Sequence, residues 1–251
     1  MHLLVTRPHP DATELIEQLQ EAGHRVIYFP LLEIRFHSGV ELPETLPQAV
    51  LITSANGARA LGRHRQMAEL ADVPVISVGP ASATAAQEAG FKTIAQTGRG
   101  DVTGLIDHVR QHLSPKDGPL LYASGSKTSG DLVGELQNSG FSIDRVVLYE
   151  AEPAKELPKE ICQMVNRQVS EKLDGVLLFS PRTAKTWLAV TKGCISPDEL
   201  ANMKYYCLSE NVAKIINQGL GKLSDTIICD KPDTSSLLKA VNDVSCASSN
   251  D

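Results

Sequence analysis

The sequence predicts an α/β protein of two domains built on parallel sheets, and three observations carry the prediction. The first is an internal repeat, in which Leu3, Leu15, Leu19 and Gly23 return 117 positions later as Leu120, Leu132, Leu136 and Gly140. The second is the alternation of strand-length apolar runs with helix-length mixed segments, the pattern of parallel strands covered by helices on both faces. The third is a pair of stretches poor in helix signals, HSGVELPETLP and EAEPAKELPKE, each following the second strand of a repeat copy.

Each copy of the repeat reads as a βαβ unit. An apolar run enters a polar turn, a helix follows with Leu at i and i+4, and a Gly stops it before a second strand, RVIYFPLLEI in one copy and RVVLY in the other. The period is too long for a solenoid, so it marks duplication of one α/β unit. Strands are expected at Leu3 to Thr6, Val26 to Phe29, Val50 to Thr53, Val75 to Val78 and Thr93 to Ala95. Five more are expected at Leu120 to Ala123, Val146 to Tyr149, Val176 to Phe179, Tyr205 to Leu208 and Thr226 to Cys229. The linkers divide these as two, five and three, and a parallel sheet needs its strands in one body. The middle domain is therefore expected at 36–150, and a discontinuous outer domain at 1–34 and 154–251, with linkers near 35 and at 151–153. Two sequential repeats split near residue 117 would instead place a long structureless loop inside each domain, which is uncommon. The polar end SCASSND, 245–251, is expected to be disordered.

Composition removes several function classes. A formal charge of -6 gives no general footprint for nucleic acid, whose phosphates call for a basic face. No run is long and apolar enough to span a bilayer, and the first residues lack the apolar stretch of a secretory signal, so the expectation is a cytoplasmic protein. The five cysteines show no CxxC spacing and all seven histidines lie at or before His112, so neither a disulfide scaffold nor a metal site is expected.

In open α/β sheets ligands bind outside the carboxyl ends of the strands, so the chemistry belongs at the strand-to-helix junctions. These are alike: Thr6-Arg7-Pro8, Thr53-Ser54-Ala55-Asn56-Gly57, Gly79-Pro80-Ala81-Ser82, Ser124-Gly125-Ser126, Ser180-Pro181-Arg182-Thr183 and Ser209-Glu210-Asn211. Any one of these Ser, Thr or Asn residues is best read as a helix N-cap. As a set they give each domain a rim of amides and hydroxyls at helix N-termini, which suits a ligand carrying several carboxylates. Arg7 and Arg182 add positive charge there.

Other motifs fail. Gly125-Ser126-Lys127-Thr128 lacks both the contiguous GK and the upstream Gly of a phosphate loop, and no GxGxxG opens the first βαβ unit. No GxSxG elbow occurs and no His follows His112, so a Ser-His-Asp hydrolase reading is weak. Trp187, in the helical run TAKTWLAV, reads as core.

Several segments, in order along nearly the whole chain, resemble the uroporphyrinogen-III synthase family. They are the opening VTRP, FPLLE, VLITS, SVGPASA, VVLYEA and VLLFSP. The resemblance implies two flavodoxin-like, doubly wound domains joined by a two-stranded linker, with the active site in the cleft between them. It implies cyclisation of the linear tetrapyrrole hydroxymethylbilane to uroporphyrinogen III, with inversion of the last pyrrole ring, loss of water and no cofactor. Tyr149 matches the family's recurrent Tyr at the end of the middle lobe and is the candidate general acid. Ser54 and Ser180 fall at its Thr-Ser turns and Ser82 at the hydroxyl of its glycine-initiated turn, as carboxylate binders. With them the expected substrate-binding set is Arg7, Ser54, Asn56, Gly79, Ser82, Ser124, Ser180, Arg182, Ser209 and Asn211. Ser209-Glu210-Asn211-Val212 stands where many members carry Gly-Pro-Thr-Thr, and the turn after Leu120 lacks the family's common Gly-Arg. The protein is expected to act as a monomer on its small-molecule substrate, with no nucleic-acid or membrane partner. A cytoplasmic two-lobe module that binds a small polar ligand without turnover is the competing reading.

Overall fold

The structure, a computed structural model, describes residues 1–97, 101–128, 130–221 and 224–247. It opens with β1 (His2–Val5), α1 (Thr13–Glu21) and β2 (Arg25–Tyr28). Leu15 and Leu19, one turn apart, are the buried residues of α1, and Gly23 ends it at φ 82°, a left-handed conformation that a side chain would strain. The middle of the chain runs β3 (Leu32–Phe36), β4 (Ala49–Ile52), α2 (Ala55–Gly62), α3 (Met67–Leu70), β5 (Val75–Ser77), α4 (Pro80–Glu88) and β6 (Ile94–Gln96). It continues with α5 (Val102–His112), β7 (Leu120–Gly125), α6 (Leu132–Asn138) and β8 (Ile143–Pro153). The last part holds α7 (Lys159–Val165), β9 (Gly175–Leu178), α8 (Pro181–Thr191), α9 (Pro197–Ala201), β10 (Lys204–Cys207), α10 (Glu210–Leu220), β11 (Asp225–Ile228) and α11 (Thr234–Ala247).

The chain forms two compact units, one of residues 1–33 and 152–251, the other of residues 34–151. In the first, five parallel strands lie in the order β11-β10-β9-β1-β2. In the second, β8-β7-β4-β5-β6 are parallel and β3 is added at the β8 edge. The bonds His37 N–H to Leu148 O and Ala154 N–H to Leu31 O flank that edge pair, and residue numbers rise on one strand as they fall on the other, so β3 runs antiparallel to β8. The five-stranded arrangements coincide when β9, β10, β11, β1 and β2 are matched to β4, β5, β6, β7 and β8. The units differ in where the chain enters and in the added strand.

Burial follows position in the sheet. The central strands β1, β4 and β9 are apolar on both faces, and Leu3, Leu4, Val5 and every residue of β4 are inaccessible. The edge strands β2 and β11 are half exposed. Alternate residues of each sheet feed separate cores. Leu4, Val176, Leu178 and Tyr205 pack under α7 to α10, while Leu3, Val5, Leu177 and Tyr206 pack under α1 and α11. In the other unit Val50, Ile52, Leu121 and Ala123 face α2 to α4, and Leu51, Ile76, Leu120 and Tyr122 face α5 and α6.

Three expectations need correction. The run RVIYFPLLEI is two strands, β2 and β3, broken at Phe29-Pro30, because its halves join different sheets. The residues read as a linker after Tyr149 continue β8 to Pro153, since β3 supplies a partner there. Ser245 to Ala247 belong to α11, held by Leu237 and Val241 in the core, while 248–251 lie outside the described residues.

Candidate functional site

At the carboxyl ends of the strands in the discontinuous unit, side chains brace the edge. Thr6 Oγ1 donates to the Leu177 carbonyl at 2.6 Å, tying the end of β1 to β9. Arg7 follows at once, its guanidinium 5.5 Å from the Phe179 ring centroid and 3.6 Å from the Asp11 carboxylate. Ser180 caps α8 through a capping box: its Oγ accepts from the Thr183 N–H at 3.1 Å, and the Thr183 Oγ1 accepts from the Ser180 N–H at 2.9 Å. Arg182, half-buried, lies in the first turn of α8, its carbonyl accepting from the Thr186 hydroxyl. Ser209 stands at the N-cap of α10 in extended backbone; its side chain makes no cap bond, while its carbonyl accepts from the Val212 and Ala213 N–H groups. Glu210 beside it is exposed and 3.8 Å from Lys214, and Asn211 is exposed.

The unit of residues 34–151 repeats the pattern on β4, β5 and β7. The Thr53 and Tyr122 hydroxyls lie 3.0 Å apart. Ser54 caps α2 by accepting from the Asn56 N–H at 3.2 Å, and the Asn56 side-chain Oδ1 accepts from Arg59 Nη1 at 3.1 Å. Gly57 lets α2 approach β7 so closely that a Cβ would lie 2.7 Å from the Ala123 carbonyl oxygen. Gly79 is the N-cap of α4, with Pro80 at the first position, so no side chain competes for the leading amides of that helix. Ser82, on the first turn, is 6% exposed and faces inward.

The junction after β7 differs from the others. Ser124 is 1% exposed, and its hydroxyl donates to the Val146 carbonyl and accepts from Arg145 Nε at 3.0 Å. The same guanidinium donates through Nη2 to the Gly125 carbonyl at 3.0 Å and the Ser126 carbonyl at 3.2 Å. The register of β7 and β8 shifts between Ser124 and Gly125, and this bulge brings Tyr149 opposite Gly125. The phenol ring lies over bare backbone there, for a Cβ on Gly125 would meet it at 2.8 Å. Phe36 also neighbours it, with ring centroids 6.5 Å apart.

The structure thus brings Ser54, Asn56, Gly79 and Tyr149 to the strand ends of one unit, and Arg7, Ser180, Arg182, Ser209 and Asn211 to those of the other. Ser82 and Ser124 are placed in the interior. Two brackets escaped the sequence reading. Arg145 sits opposite Tyr122 in the β7–β8 register, and Tyr28 sits opposite Val5 in the equivalent β1–β2 register. Tyr28 does for the loop after β1 what Arg145 does for the loop after β7: its hydroxyl accepts from the His9 N–H at 3.1 Å while the two rings lie 4.4 Å apart. Burial raises the Tyr28 phenol above its ordinary pKa, partly opposed by that hydrogen bond. The signal was the 117-residue spacing of the repeat, which sets Tyr28 against Arg145 and was hidden by matching Arg25-Val26 to Arg145-Val146. Among the described residues no group of three or more His, Cys, Asp and Glu could hold a metal ion, and no helix is long and apolar enough to cross a membrane.

The family model described as uroporphyrinogen-III synthase HemD matches residues 13–239. A uroporphyrinogen-III synthase of Chlorobaculum parvum is 25% identical over 193 residues, covering 74% of this chain and 77% of that one. The porphyrin biosynthesis protein HemD of Ruminiclostridium josui is 24% identical over 210 residues, 76% of this chain and 39% of that longer protein. The fold is that of the uroporphyrinogen-III synthetase of Helicobacter pylori, with a TM-score of 0.65, 17% identity and coverage of 97% of this chain and 100% of that chain. A mutant uroporphyrinogen III synthase of Thermus thermophilus superposes with a TM-score of 0.58 at 14% identity, over the whole of both chains.

Proposed function

As the chain belongs to the uroporphyrinogen-III synthase family, cyclising lyases of porphyrin biosynthesis, we propose that it closes hydroxymethylbilane to uroporphyrinogen III by holding the substrate's carboxylates on helix N-termini. The observation that carries this is the family match over residues 13–239, on a chain whose strand ends lead repeatedly into helices with Ser54, Gly79, Ser180 and Ser209 at their N-cap positions. Leading amides and the helix dipole both favour carboxylates. The reading of a ligand sensor without turnover has no observation in its favour.

The hydroxymethyl group must leave as water, and the azafulvenium cation it leaves behind is attacked by the far pyrrole through a spiro intermediate that inverts the last ring. The linear substrate also closes unaided to the uninverted isomer, so the protein's contribution is control of shape during a reactive interval. Tyr149 is our candidate donor to the departing hydroxyl, its ring supported by Gly125 and Phe36. Arg7 and Arg182 add charge for the carboxylates, and Ser54, Asn56, Gly79, Ser180, Ser209 and Asn211 present hydroxyls and amides. Ser82 and Ser124 act at one remove, through α4 and through Arg145. We further propose two flavodoxin-like domains meeting the chain at 33–34 and 151–152, working as a cytoplasmic monomer.

The test is a coupled assay that generates hydroxymethylbilane, with isomer analysis after oxidation. Uroporphyrinogen III should dominate, and the uninverted isomer alone would sink the proposal. Tyr149→Phe should slow turnover by ~100-fold if the phenol is a general acid. A loss of only about threefold to tenfold, the worth of one hydrogen bond, would leave the residue a positioning role.

A further inference from the structure

Away from the strand ends, Cys162 on α7 and Cys194 in the loop between α8 and α9 bring their sulfurs within 2.9 Å across 32 residues of sequence. Both are free thiols and both are partly exposed. They line a groove of about 560 Å³ together with Lys155, Lys159, Asn166 and Lys192, so a charged small molecule can reach them. The surrounding backbone is already clamped. Asn166 Nδ2 donates to the Cys194 carbonyl at 2.7 Å, and its Oδ1 accepts from the Ser196 N–H at 3.1 Å. Joining the sulfurs needs roughly 1 Å of approach to reach bonding distance. The neighbouring pair Cys207 and Cys229 is buried and offers no such access.

We propose that Cys162 and Cys194 are a reversible modification site, a dithiol that a small-molecule disulfide such as glutathione disulfide oxidises to an intramolecular disulfide. The Cys162 thiolate attacks one glutathione sulfur, forming a mixed disulfide and releasing one glutathione thiol. Cys194 then gives its proton to solvent and attacks the Cys162 sulfur, expelling the second glutathione. Two protein thiols are oxidised and one glutathione disulfide is reduced to two thiols. The order follows from the surroundings. Burial, then the hydrogen bond and charge of Cys162, push the Cys194 thiol up to about 12, and its S–H points to the Val190 carbonyl. Capping Cys162 with glutathione removes both contributions made by Cys162 and leaves burial as the cause that holds Cys194 up, and Cys194 then acts as the resolving thiol. The three lysines on the groove suit the carboxylates of glutathione. The bond would staple α7 to the loop that follows α8, a helix length from Ser180, so it alters stability rather than the strand-end chemistry.

The experiment treats the full-length protein with oxidised glutathione, then maps disulfides by peptide mass spectrometry and records thermal melts. The expected product is a Cys162–Cys194 cross-link, reversed by dithiothreitol and absent in Cys162→Ser, with a melting point raised by roughly 5–10 °C for a loop of this length. Persistence of two free thiols, a mixed disulfide on Cys162 that never closes, a Cys207–Cys229 product in its place, or a cross-link that lowers the melting point would each overturn it.

Discussion

Arg145→Met removes the guanidinium that holds the β7–α6 loop and keeps most of the aliphatic stem. Three acceptors lose their donor: Ser124 Oγ, the Gly125 carbonyl and the Ser126 carbonyl. Ser126 is exposed and its carbonyl is resolvated at almost no cost, whereas Ser124 and Gly125 are buried. Two bonds therefore count, at about 0.5–1.5 kcal/mol each, for a total near 2 kcal/mol. For a chain of this size that lowers the melting temperature by roughly 4–8 °C. The local effect is sharper. The Ser126 N–H, which donates to the Tyr149 carbonyl at 2.9 Å, should exchange with solvent faster as the loop loosens. Calorimetry and amide exchange measure the two effects. Arg145→Lys should recover little, since one ammonium cannot meet three acceptors arranged for a planar fork. A melt within 1 °C of the parent and unchanged protection at Ser126 would show that the guanidinium braces nothing (about one-quarter of the expected loss).

Gly57→Ala drives a methyl against the Ala123 carbonyl oxygen and should destabilise by about 1–3 kcal/mol, read in a denaturant melt; a neutral change would mean that α2 can lift from β7. His108 stacks on His112 with centroids 4.2 Å apart, and burial first, then the charge of His112, lowers its pKa below 6.5. The unfolded chain then binds the proton more tightly, so the stability contributed is present above about 6.5 and is lost as pH falls through the lower folded value. His108→Gln should flatten the melting-temperature profile between pH 5 and 7 by about 1–3 °C, a small effect because the ring is only half-buried, and an unaltered profile would contradict it. Residues 34–151 alone should melt cooperatively, whereas residues 1–117 should not. The shorter cut removes β7 from beside β4, and β8 with it, and leaves only β1 and β2 of the other sheet; a sharp melt from 1–117 would refute the division.

Much was readable from the sequence because it is written in local chemistry. Leu15 and Leu19 on one helix face, Gly23 after it, and Ser54 and Ser180 at helix starts act within a few residues of themselves, so their neighbours in sequence are their partners in space. The continuous apolar runs of β1, β4 and β9 likewise announce central strands buried on both faces. The repeat at spacing 117 even carried the register, since Leu3 pairs with Val26 and Leu120 with Ile143. It was the look-alike RV of Arg25-Val26 and Arg145-Val146 that misaligned the second strands by three positions. Only the tertiary structure decided what depends on a partner far along the chain. β3 and the extension of β8 exist because each satisfies the other's backbone. Ser124 is withdrawn from the edge because Arg145 claims its hydroxyl. Tyr149 has a place to lie because a bulge sets it opposite the one residue of the β7 end with no side chain. Such positions are fixed by hydrogen bonds and packing between strands, and a strand cannot state in its own residues which neighbour it will have.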